Sequence, residues 1–193
     1  MEQLEFALIP IGIVLGYGVT KVLGSWAHLV RIRRRLERPP ILFFSATALS
    51  LFYMYANFSG LWAYSNVDFQ YAAGTFNTSF LLLITLPMLL FMLAISVMVP
   101  SDIDDIQDLE GHYDGSTGPF YVIFCAAIAS SALPDLLPGV RMSVPLPLTI
   151  FSWFLLLSLL TLVWFKGRLI HLSVHALQWL VLLGIFILWP LAA

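Results

Sequence analysis

The chain has 193 residues, 60% apolar and only 10% charged, with a mean hydropathy of +0.92. A soluble domain carries about 25% charged residues, so this composition excludes a water-covered surface and implies lipid as the solvent. A net charge of −2 offers no field for nucleic acid, and a single cysteine, Cys125, excludes an intrachain disulfide framework and a cysteine-rich metal site.

The N-terminus carries Glu2 and Glu5 and no basic run, which predicts that the first apolar stretch is retained, not cleaved. Apolar stretches of spanning length predict an all-α integral membrane bundle, a single domain over 1–193. Its six helices are expected near 6–30, 40–64, 73–99, 119–138, 146–165 and 169–191. Pro39-Pro40, Asn66 to Asp68, Pro100 to Gly118, Pro138-Gly139 and Lys166-Gly167-Arg168 punctuate them. Lys and Arg set the orientation. Arg31, Arg33, Arg34, Arg35 and Arg38 in the first connection, and Lys166 and Arg168 in the fifth, belong on the cytoplasmic side. Six spans then leave both termini on the non-cytoplasmic side and put the acidic loop 101–117 in the cytoplasm. The short fifth connection makes the last two helices an antiparallel pair.

On the first helix, Gly12, Gly16, Thr20 and Gly24 recur every four residues and form a close-packing stripe, with an intrachain partner favoured. Lys21 interrupts the same uncharged stretch. It stands ten residues before Arg31, roughly 15 Å of helical rise from the membrane edge, which is near the middle of a hydrocarbon core ~30 Å thick. A lysine at that depth snorkels, pairs or faces water. Tyr17, Lys21 and His28 share a helix face and suggest a polar seam. Asp135, beside Pro134 and Pro138, is the candidate partner for the ammonium, against the alternative of a solvated outer turn. Asn57, on an aromatic and polar second helix, is expected to face the interior, with Trp62 and Tyr64 in the outer aromatic belt. Pro87 is expected to kink the third helix.

His171, His175 and Gln178 lie on one face of the last helix, at spacings of four and three. With His28 they stand near the cytoplasmic boundary. Three imidazoles at one level suit a transition metal, and two on different helices suit haem; the alternative is interfacial histidines with no cofactor. Ser101 to Glu110 reads as a short amphipathic helix lying at the membrane surface.

The segment Val14-Leu-Gly-Tyr-Gly-Val-Thr-Lys-Val-Leu, followed by His28 and the Arg31 to Arg35 cluster, resembles a family of small bacterial polytopic inner-membrane proteins. These share a Gly-x-Gly-x-Thr first helix, an arginine-rich first loop and an aromatic second helix. The resemblance implies the bacterial inner membrane and no established activity. Three function classes remain. One is a small transporter or channel built on Lys21. Another is an accessory or scaffold subunit of a larger complex, or a homo-oligomer. The last is a haem- or metal-binding redox protein. The chain lacks HExxH, GxSxG, a P-loop and CxxC, which disfavours an enzyme.

Overall fold

The computed structural model describes residues 3–32, 34, 36, 39–65, 78–100, 108–131 and 146–188. Among them the chain forms six helices and no strand: α1 (Gln3–Ile32), α2 (Ile41–Ser65), α3 (Thr78–Met98), α4 (Leu109–Ser131), α5 (Leu146–Trp164) and α6 (Arg168–Leu188). Two stretches, Ile9–Ile32 and Ile41–Phe58, are long and apolar enough to cross a membrane.

The fourth helix departs from expectation. It begins at Leu109, not near 119, so the second half of the acidic loop forms the first turns of α4. The reason is local. Asp108 caps the helix by accepting a hydrogen bond from the Gly111 amide at Oδ1, 2.9 Å away. Pro119 then sits inside the helix instead of starting it. A proline there forgoes one backbone hydrogen bond, and its ring crowds the carbonyl four residues back, at Gly115. The surface helix expected from Ser101 lies largely outside the described residues, as does Asp135 beyond the end of α4.

Helix α4 is the centre of the bundle. It packs most extensively on α3 and α5 and also meets α2; α1 packs on α2 and α3, and α6 on α5 and α2. The core is aromatic where α2, α3 and α4 converge. Phe124 meets Phe91 and Tyr53 edge-on, with ring centroids 5.3 and 5.4 Å apart. Such edge-to-face pairs add about 0.5–1.5 kcal/mol each beyond area burial. A cross-helix hydrogen bond joins α1 to α2, where the Trp26 indole N–H donates to Thr47 Oγ1 at 3.0 Å. Most other hydroxyls are satisfied within their own helix. Thr20, Ser50, Ser130, Ser131, Ser158 and Thr161 each donate to a carbonyl three or four residues back.

The packing stripe on α1 has no intrachain partner among the described residues, contrary to expectation. Gly16, Thr20 and Gly24 are exposed, and a Cβ added at Gly12, Gly16 or Gly24 would meet nothing within 4 Å. Close approach occurs on the opposite side of the helix. A Cβ at Gly18 would lie 2.7 Å from Met54 Cε and 3.4 Å from Met92 Sδ. Helix α1 therefore turns its Gly18, Val22 and Leu29 side to α2 and α3, and its small-residue stripe outward.

Candidate functional site

The described polar side chains converge between α4, α6 and α2. On α6, His171, His175 and Trp179 follow at intervals of four, which stacks them on one face. On α4, Tyr113 and Tyr121 are eight residues apart, about two turns, and point the same way. The longer α4 is what brings Tyr113 into reach. Ser45 joins from the first turns of α2.

These groups form one continuous chain of hydrogen bonds. Trp179 Nε1–H donates to Ser45 Oγ at 2.9 Å, and Ser45 Oγ lies 2.7 Å from His175 Nδ1. His175 Nε2 is 2.6 Å from Tyr121 Oη, which is 2.9 Å from Tyr113 Oη. Tyr113 Oη is 2.8 Å from His171 Nδ1, and His171 Nε2 is 2.7 Å from the Phe165 carbonyl oxygen. Both histidines and both tyrosines are buried.

For two neutral imidazoles, the two ends fix the position of every proton between them. A carbonyl only accepts, so His171 Nε2 carries hydrogen and its Nδ1 accepts from Tyr113. Tyr113 has one proton, spent on His171, so Tyr121 donates to Tyr113. Tyr121 in turn accepts from His175 Nε2–H, and His175 Nδ1 accepts from the Ser45 hydroxyl. The indole N–H only donates, and it closes the chain at Ser45. All donors run one way, from Trp179 to Phe165, with both imidazoles neutral. No atom of the chain is left unpaired, which makes a buried polar network stabilising instead of costly.

One turn beyond Tyr113 and His171, at the charged ends of the helices, buried Glu110 of α4 pairs with Arg168 of α6 at 3.4 Å. Tyr113 stands before the apolar stretch that starts at Pro119. There, burial lifts its phenol well above the ordinary tyrosine range; the Tyr121 hydrogen bond opposes that rise, and the negative charges of Asp114 and Glu110 add to it. On the other flank, Gln178 Nε2 donates to Ser158 Oγ of α5 at 2.7 Å. Gln178 Oε1 and Tyr53 Oη are buried with no hydrogen-bond partner among the described residues.

The expected seam on α1 is not seen among the described residues. Tyr17 is exposed and Lys21 and His28 are half-buried. No hydrogen bond or ion pair joins Lys21 to another described residue, Asn57 is half-buried on α2, and Asp135 lies outside the described residues. His28 is not grouped with His171 and His175 among the described residues. No Cα atom of α1 lies within 8 Å of one in α6 among the described residues. All four ring nitrogens of His171 and His175 lie within hydrogen-bond distance of another group. Among the described residues, no group of three or more His, Cys, Asp or Glu is placed to hold a metal ion.

His171, His175 and Gln178, which their spacing puts on one helix face, are all buried, whereas the sequence does not single out Tyr113, Tyr121, Ser45 and Trp179 as members of a site. The available signal was the interval of eight between the tyrosines, hidden by taking Pro119 as the start of the helix. Comparison with protein-family models, with curated proteins and with solved structures finds no match to this chain.

Proposed function

We propose that this chain is a small proton-conducting or proton-coupled transporter or channel. In this reading it is a six-span protein of the bacterial inner membrane with both termini on the non-cytoplasmic side, and it belongs with the small polytopic proteins that its first third resembles. The observation that carries the proposal is the unbroken hydrogen-bond chain from Trp179 to Phe165 through two histidines and two tyrosines. The site of transport moves from Lys21 to this chain. Large apolar side chains turned outward, such as Ile13, Trp164 and Leu169, favour lipid around the helices.

A neutral imidazole accepts a proton on one nitrogen and releases one from the other, and a phenol hands its proton on while receiving the next. A proton arriving at Ser45 therefore displaces one at each step, and His171 releases one from Nε2 toward the end marked by Lys166 and Arg168. The donor order favours this direction, since each group already points its proton at the next. From His171 to Trp179 the relay advances eight residues along α6, ~12 Å of rise against a core of ~30 Å. Water or cargo must carry the remaining distance on the side away from Arg168.

The test is proton flux into proteoliposomes containing a pH-reporting dye, driven by a potassium diffusion potential. Wild type conducts, and His175→Ala and Tyr121→Phe each cut the flux at least about tenfold, the low end of what a positioned acid–base group supplies. Absence of flux from wild type sinks the proposal. It would leave the second reading, a scaffold subunit of a larger membrane complex or a homo-oligomer, which the outward small-residue face of α1 favours.

A further inference from the structure

The ion pair at the charged end of the relay continues its geometry. Glu110 stands three residues before Tyr113 on α4, and Arg168 stands three before His171 on α6. Since Tyr113 bonds His171 and Glu110 bonds Arg168, the two pairs are successive rungs between the same helices. Glu110 is buried, whereas the Arg168 side chain is 40% exposed. The carboxylate therefore faces the bundle, and the guanidinium reaches water. Arg168 also occupies the first position of α6, where the helix dipole disfavours a cation, and its ion-pair partner among the described residues is Glu110. Around this end stand Arg168 and His171 from α6 and Tyr113 and Asp114 from α4, and the charge of Glu110 is close enough to act on Tyr113.

We infer that Glu110 is the proton-exchanging carboxylate at the mouth of the relay and that Arg168 is the movable group that sets when it loads and discharges. The inference rests on the relay proposed above. His171 takes the Tyr113 proton at Nδ1 as it gives up the one on Nε2, which passes through water to the Glu110 carboxylate. The imidazole is neutral before and after, and the carboxylate becomes a carboxylic acid. A guanidinium beside a carboxylate favours its charged form. Departure of Arg168 into water raises the proton affinity of Glu110 and loads it; its return expels the proton to the aqueous side.

The test uses the same proteoliposome flux, with melting of the extracted protein as the control for folding. Glu110→Gln keeps the shape and removes the titratable group; flux falls at least about tenfold while the protein remains folded, and Glu110→Asp recovers part of it. Arg168→Gln leaves the carboxylate loaded and slows flux, whereas Arg168→Lys retains it. Wild-type flux in Glu110→Gln, with His175→Ala inactive, overturns this inference and leaves the relay standing. Loss of flux in Glu110→Gln with no change in Arg168→Gln removes the gate. Absence of flux in wild type, or full flux in His175→Ala, overturns the relay and this inference with it.

Discussion

Tyr121 Oη lies 2.6 Å from His175 Nε2, joining α4 to α6 at the middle of a chain in which each group has one role. Tyr121 is both the acceptor for the imidazole N–H and the donor to Tyr113. Tyr121→Phe strands a buried imidazole N–H and removes the donor to Tyr113. An unpaired buried polar group costs about 1–3 kcal/mol, and the expected destabilisation falls in that range. His175→Phe costs a similar amount by leaving the Ser45 hydroxyl without its acceptor and Tyr121 without its incoming donor. The double variant removes both partners and should lose clearly less than the sum. A double-mutant cycle on thermal unfolding of the detergent-extracted protein measures this coupling. Additive losses would mean that the two side chains do not bond.

The Trp26–Thr47 bond makes a similar prediction away from the site. Thr47→Val keeps the shape and leaves the indole N–H without its acceptor, an expected loss of about 1 kcal/mol or more. Trp26→Phe in the Thr47→Val background should recover part of the loss, because the orphaned donor is then gone. Melting temperatures of the three variants against wild type decide it.

Gln178 offers the opposite sign. Its Oε1 is buried with no hydrogen-bond partner among the described residues, although its Nε2 reaches Ser158. Replacement by an apolar residue of similar length removes an unsatisfied carbonyl. It costs only one accepted bond at Ser158, whose own proton is already given to the Leu155 carbonyl. Gln178→Met is therefore expected to be neutral or stabilising, within about 1 kcal/mol of wild type. A melting temperature well below wild type would show that Oε1 has a partner, such as an internal water.

Much of the helical framework was legible because long apolar runs bounded by Pro, Gly and charged residues mark helices. The α1, α2 and α6 segments follow directly from them. The start of α4 was not, since Asp108 outweighs Pro119 as a boundary and only the capping bond reveals it. The network was legible only as the one-sided spacing of His171 and His175. Its cross-helix bonds join residues 54 and 130 positions apart, separations that no local period encodes. Lys21 shows the converse. Its charge stands out in an apolar stretch, but whether it faces the bundle interior depends on which side α1 packs by, and Gly18 decides that.

Two glycines on α1 test that packing directly. Gly16 and Gly18 stand two residues apart and so on opposite sides of the helix. A Cβ at Gly16 meets nothing, and alanine is the better helix former by about 1 kcal/mol, so Gly16→Ala should raise the melting temperature or leave it unchanged. At Gly18 the new methyl lands on the buried Met54 side chain and close to Met92. Met54 is flexible but fully enclosed, so accommodation requires shifting α2 or α3 neighbours. Overpacking of this kind costs about 1–3 kcal/mol, and Gly18→Ala should melt below both wild type and Gly16→Ala. The reverse order would mean that α1 meets α2 and α3 through the Gly12, Gly16, Thr20 and Gly24 stripe after all.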